Sequence, residues 1–311
     1  MITPSLLAHG NPSGRAAGLG LAALGAIAFS GKAIIVKLAY RHGVDAVTLI
    51  MYRMLFALPF FIALGIWSEK QTQARENPLT RRDVLGIVAL GFVGYYLSSY
   101  LDFLGLQYIT ASLERLILYL NPTLVVVLGW FIYKKPVQPI RMMAMAVSYA
   151  GVLLVFAHEL SFAGSDVALG SALVFASALT YAVYLVFSGQ LVQRIGAMRL
   201  VGWATSVACV CCIVQFIVLR PLSAMDVPHP VLWLALLNAL LCTVAPVLMV
   251  MMAIERIGAG LTSQVGMIGP MTTLMLGVFF LNEPFTIWIL AGTALVLGGV
   301  FWVTKTPKVL E

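Results

Sequence analysis

The chain has 311 residues, of which 61% are apolar and only 10% charged, with a formal net charge of +7. Soluble domains carry roughly 25% charged residues, so this is a membrane composition and a water-soluble core is excluded. Stretches of about 18 or more mostly apolar residues are long enough to cross a bilayer as helix, at about 1.5 Å per residue. In chain order they predict ten transmembrane helices over residues 16–39, 45–67, 83–104, 108–133, 140–158, 167–189, 197–219, 229–253, 258–281 and 285–304. The connections between them are short. The expected fold class is therefore an all-α integral membrane protein, with residues 1–311 forming a single membrane domain.

The first apolar run is too long for a cleaved signal segment and carries Lys32 and Lys37, so it reads as a retained helix. Lys and Arg favour the cytoplasmic ends of helices. With the N-terminus inside, thirteen of them, Arg15 to Lys308, fall in cytoplasmic segments, and only Arg41 and Arg220 fall outside. This predicts a multi-pass protein of the cell (inner) membrane with both termini cytoplasmic. The positive charge is then a topology signal rather than a nucleic-acid surface.

In the third predicted helix, Tyr95, Ser98, Ser99 and Asp102 stand at i, i+3, i+4 and i+7. In the sixth, Ser177, Thr180, Tyr181, Tyr184 and Ser188 form a similar stripe. Such a face suits a polar cavity, and the competing reading is hydroxyls that bond their own carbonyls or bind neighbouring helices together. Met267, Met271 and Met275 make a third stripe in the ninth helix, fit for an apolar substrate or for packing. Lys32, Arg53, Asp102, Glu114 and Arg115 all fall in the outer half of the membrane, where uncompensated charge costs at least about 2.5 kcal/mol. On the helical wheel Arg115 shares a face with Ser112, Tyr119 and Pro122, about 100° from Glu114. The expectation is that Glu114 pairs with Arg53 or Lys32, leaving a cationic surplus for a substrate carboxylate.

A gapless shift of 148 residues aligns Ile109, Ala111, Leu113, Pro122, Gly129, Phe131, Pro136, Gly151 and Val152 with Ile257, Ala259, Leu261, Pro270, Gly277, Phe279, Pro284, Gly299 and Val300. This predicts two five-helix repeats, 16–158 and 167–304. Five is odd, so the second copy enters from the opposite face, and the result is an inverted repeat of the kind secondary transporters use. Pro122 and Pro270 each remove a backbone bond, to Leu118 and Gly266, which predicts matched hinges in helices four and nine.

The stretches FSGKAIIVKLAYRHGVDAVTLIMYRMLFALP (29–59), YYLSSYLDFLGLQYITASLERLILYLNP (95–122) and MIGPMTTLMLGVFFLNEP (267–284) resemble EamA-type carriers of the drug/metabolite transporter superfamily, over nearly the whole chain. In that resemblance Arg53 is the arginine of the second helix, Pro122 and Pro270 are the paired prolines, and Glu283 is the acidic residue closing the repeat. Lys135 stands where the first copy usually has that acid. The resemblance implies transport of small metabolites, with the amino-acid exporters as one branch.

Other chemistries find little support. The four cysteines lack CxxC spacing and the four histidines form no helical pair, so neither a metal nor a redox cofactor is expected. GAIAFSGK (25–32) has the wrong glycine spacing for a phosphate loop, so neither ATP hydrolysis nor an ATPase subunit is expected. The partners expected are a small-molecule substrate and the lipid bilayer, and a monomer is compatible with the sequence. The leading function is a secondary, ATP-independent transporter, probed against an integral membrane lipid-modifying enzyme or a channel. Transport is expected to be facilitated or weakly proton-coupled, because the carboxylates in the path, Asp102 and Glu114, have cations nearby.

Overall fold

The computed structural model describes residues 12–71, 77–134, 138–163 and 166–305. His9, Arg75, Lys135, Pro136 and Lys308 lie outside the described residues. Every regular element among the described residues is helical. Among the described residues, eight apolar helices are long enough to cross a bilayer: α1 Arg15–Tyr40, α2 Ala46–Glu69, α3 Arg81–Gly105, α4 Ala111–Tyr133, α5 Met142–Ser161, α6 Asp166–Ile195, α7 Ala197–Leu219 and α8 His229–Gly258. Two more, α9 Gly269–Leu281 and α10 Ile287–Trp302, are apolar but shorter. Gly258 has φ of +78°, and the chain continues beyond it as a helical segment to Gly266.

Local sequence chemistry sets several boundaries. Asp45 caps α2 by accepting from Val47 N at 2.9 Å. Thr80 and Asp83 form a reciprocal capping box at the start of α3. Thr110 caps α4, its hydroxyl accepting from Leu113 N. The predicted ninth helix is interrupted instead of continuous. A turn at Met267 and Ile268 precedes Pro270, and a turn at Tyr119 and Leu120 precedes Pro122 in α4.

These irregularities keep the 148-residue register. The two turns are related by it, as are the only non-glycine residues with positive φ among the described residues, Lys134 (53°) and Asn282 (57°). Wide π-helical turns also match, Gly91–Leu97 in α3 against Leu240–Val244 in α8. The dominant packing pairs are α1 with α8, α2 with α7, α3 with α6 and α5 with α10.

Small residues bring the paired backbones close, which is how helices pack where lipid supplies no hydrophobic drive. A Cβ on Gly299 would stand 2.5 Å from Ala144 O, and one on Gly151 would stand 2.6 Å from Gly292 O. Residues 144 and 151 shifted by 148 become 292 and 299, so the two contacts exchange with each other. One apolar core joins α1, α2, α7 and α8 with the end of α3. A second joins α4, α5, α6, α9 and α10.

Candidate functional site

The five charges that the sequence places in one layer are all buried in the structure. Lys32 on α1 sits between two carboxylates, with Nζ 2.6 Å from Asp102 Oδ2 on α3 and 3.1 Å from Glu114 Oε1 on α4. The expected choice between Arg53 and Lys32 as the partner of Glu114 thus falls on Lys32. The second contact is an ion pair without hydrogen-bond alignment, and both Glu114 oxygens lack a hydrogen-bond partner, as does Asp102 Oδ1.

The two arginines have only neutral partners in direct contact. Arg53 Nε donates to Thr243 Oγ1 at 3.0 Å, and its guanidinium stands 5.1 Å from the Phe103 ring centre. It is near enough to Asp102 and Lys32 to feel both charges, while its Nη1 is unpartnered. Arg115 Nη2 donates to Ser30 Oγ at 3.0 Å, and the guanidinium lies over Phe29 (4.9 Å) and Tyr119 (5.7 Å). Its Nε is unpartnered. Three cations and two carboxylates leave one positive charge in excess. Asn238 on α8, fully buried, adds an amide with both polar atoms unpartnered, and its backbone carbonyl accepts from Thr243 Oγ1 at 2.9 Å. Buried polar atoms in folded proteins are nearly always satisfied by protein or by ordered water, so this concentration of atoms without a protein hydrogen bond makes the cluster the candidate site.

The two polar stripes meet each other. Ser98 and Ser177 hydroxyls lie 3.1 Å apart, and Ser177 Oγ also contacts Ser98 O at 2.8 Å. Tyr95 and Tyr184 hydroxyls lie 3.2 Å apart, with the Tyr181 ring against both. Thr180 and Ser188 donate to carbonyls of their own helix, and Ser99 is half-buried. Of the methionines, Met267 packs against the second core, whereas Met271 and Met275 are exposed. Pro270 is buried and Pro122 half-buried.

Beside the charge cluster, the N-terminus of α4 is closed by the other half of the chain. Glu283 Oε1 accepts from Ala111 N at 2.7 Å, and its Oε2 accepts from Ser112 Oγ at 2.8 Å and Ser112 N at 3.3 Å. A carboxylate is favoured at a helix N-terminus by the free N–H groups and the helix dipole. Thr110 donates to Glu159, Lys37 Nζ donates to Ile109 O at 2.6 Å, and Arg41 Nη2 donates to Leu281 O at 2.8 Å. The first halves of α4 and of α9 touch, whereas the second half of α4 packs on α6.

Sequence reasoning did not find Phe29, Ser30, Asn238 or Thr243. Ser30 and Phe29 precede Lys32 on the same turn, and Asn238 stands out as an amide in an apolar helix; these signals were present. Two apolar cavities, of about 490 and 470 Å³, are lined by none of the predicted site residues. Phe60, Trp67 and Leu248 in the first and Phe187 in the second belong to the exposed apolar surface, so the chemistry identifies the site better than the concavity does.

Among known proteins, the EamA-like transporter family matches this chain twice, over residues 16–157 and 168–305. The uncharacterized transporter YcbK of Bacillus subtilis (strain 168) is 27% identical over 300 residues, covering 93% of this chain and 91% of its own. An uncharacterized transporter of Archaeoglobus fulgidus is 23% identical over 286 residues, covering 91% and 96%. A solved crystal structure at 15% identity shares the fold, with a TM-score of 0.62 over 92% of this chain and 96% of the other.

Proposed function

Because this chain belongs to the EamA-like transporter family, we propose that it is a secondary, ATP-independent transporter of small metabolites bearing a carboxylate, exporting amino acids or related amphipathic compounds by alternating access. In this reading the ten apolar segments all cross the cell (inner) membrane, α9 doing so together with the residues before it. Both termini are cytoplasmic, as the thirteen-to-two distribution of Lys and Arg favours. The chain is two inverted five-helix repeats. Support comes from the tandem family match, the register shared by turns and π-helical segments, and packing pairs that survive exchange of the copies: α1/α8 becomes α6/α3, while α2/α7 and α5/α10 map onto themselves.

The observation that carries the reading is the buried cluster with one surplus positive charge and unpartnered atoms on Arg53, Asp102, Glu114 and Arg115, set between the breaks of α4 and α9. A substrate carboxylate satisfies Arg115 at its free Nε. An ammonium group satisfies Glu114 Oε2, the oxygen that the Lys32 ion pair leaves over. An apolar side chain lies against Phe29 and Tyr119. Charge-assisted bonds of this kind contribute about 1.5–3 kcal/mol each. In this reading the contacts of Glu283 with the start of α4 close the outer end of the path. Purified protein in ATP-free vesicles should take up one or more members of a metabolite panel saturably. Failure to move any of them, or flux that never saturates, would overturn this reading.

A further inference from the structure

Pro270 has no N–H to give to Gly266, four residues earlier. The Gly266 carbonyl is nevertheless occupied: the Tyr119 hydroxyl donates to it from the matching break in α4. A second contact lies beside the first: Ser30 Oγ accepts from Arg115 Nη2 and stands 2.7 Å from Ala26 O of its own helix and 3.0 Å from Gly269 O, two carbonyls that share its one proton. Glycine at 269 is what allows this approach, since a Cβ there would stand 2.9 Å from the Tyr119 hydroxyl and 3.0 Å from Arg115 Nη2. The break before α9 is thus held at Gly266 by the Tyr119 hydroxyl of α4, with the Ser30 hydroxyl of α1 within reach of Gly269 O.

The other copy cannot do the same. The register sets Met267 opposite Tyr119 and Leu118 opposite Gly266, and a thioether has no proton to donate. The two hinges that look equivalent by their prolines are therefore unequal by their latches.

We propose that Tyr119 is a positioning residue for transport, a latch that holds the α9 hinge in the arrangement seen here and must release before the opposite-facing state forms. This rests on the alternating-access reading above. Its place explains how a substrate could work it. Arg115 lies one turn before Tyr119 and over its ring, and it supplies the Ser30 contact. An anion that draws the guanidinium toward itself takes it from Ser30 Oγ and from over the Tyr119 ring, and so disturbs the latch.

The test is independent of substrate. In a chain with Cys209, Cys211, Cys212 and Cys242 replaced, Ser112→Cys places a thiol under Glu283, where it is covered while the α4 end is closed. Its labelling by a membrane-impermeant sulfonated maleimide is timed in intact bacterial cells. Tyr119→Phe should speed labelling roughly two- to tenfold, the factor that one neutral hydrogen bond represents. Pro270→Ala supplies a backbone donor to Gly266, so on that background Tyr119→Phe should have no further effect. A general loss of packing would act equally on both backgrounds, and thermal midpoints in detergent identify it. Labelling unchanged by Tyr119→Phe, or an equal effect on the Pro270→Ala background, overturns the latch and leaves the transport reading standing. A thiol at position 112 that never labels in any variant overturns both.

Discussion

The buried charge cluster and the ion pairs near the opposite ends of α2 and α3 use the same residue types and differ in how completely they are satisfied. Glu69 receives Arg199 through two nitrogens, Nε at 2.6 Å, and Trp203 Nε1 at 3.0 Å; Arg199 also donates to Asn77 O. Asp83 accepts from Thr80 N and Thr80 Oγ1, both at 2.7 Å, and pairs with Arg194 at 2.9 Å. In the central cluster, Lys32 serves two carboxylates at once, and Glu114, Asp102, Arg53 and Arg115 all keep unpartnered atoms. Buried charge alone therefore does not mark a binding site. Buried charge left without protein hydrogen bonds is what makes the central cluster the candidate, because such an arrangement is costly unless a ligand, water or proton completes it.

The sharpest way to break this contrast is to remove Lys32. Lys32→Gln strands two buried carboxylates, and breaking a buried pair in this way costs about 3–5 kcal/mol. Thermal unfolding in detergent, or folded yield, should fall more for this variant than for any other described below. Adding Glu114→Gln should recover part of the loss, since the pair is then removed together. Arg53→Gln combined with Glu114→Gln should be additive, because the direct contact is with Lys32. Recovery by Arg53→Gln instead would mean that the central pairing is misassigned.

Arg115→Gln should leave the protein folded, because Ser30, Phe29 and Tyr119 are neutral partners that tolerate an amide. The half-saturating concentration of a carboxylate substrate should rise roughly ten- to a hundredfold, the equivalent of about 1.5–3 kcal/mol of lost charge-assisted bonding. The rise would be seen in vesicle uptake. An unchanged half-saturation would place the carboxylate elsewhere and leave Arg115 as a structural strut.

Much of this arrangement is legible in the sequence. Apolar length gives the helices, and the constancy of Pro122 with Pro270 and Gly151 with Gly299 gives the register that the turns and the π-helical segments of α3 and α8 follow, though not that of α9 at Gly277–Leu281. Depth in the membrane brings Lys32, Arg53, Asp102, Glu114 and Arg115 together on paper. Periodicity gives the faces of α3 and α6 but not what lies opposite them, and that is why the pattern suggests cavity lining for Ser98 and Ser177, whose hydroxyls meet each other at 3.1 Å. The same limit hides Ser30, whose hydroxyl lies near its own helix at Ala26 O and also reaches Arg115 and Gly269, 85 and 239 residues away along the chain. A hydroxyl bonding its own helix and one reaching across the protein look alike until neighbours are known.

At the satisfied end, Arg199→Gln should cost about 1–2 kcal/mol in thermal stability and leave half-saturation unchanged. Its partner Glu69 is about one-third exposed and keeps Trp203, so water replaces part of what is lost.

Arg194→Gln is the smallest effect expected and the most informative about the contrast. Asp83 is as little exposed as Asp102, so a rule based on exposure alone would predict a penalty like that of Lys32→Gln. Asp83, however, keeps the Thr80 backbone N–H and hydroxyl as donors and sits in the first turn of α3, where the dipole favours its charge. Arg194 is nearly half exposed, and exposed ion pairs contribute about 0–1 kcal/mol. Thermal stability should therefore move by less than about 1 kcal/mol, and raised salt should shrink even that difference. A loss equal to that of Lys32→Gln would show that burial, not unsatisfied hydrogen bonding, governs these charges. The unpartnered atoms of the central cluster would then lose their standing as the mark of a binding site.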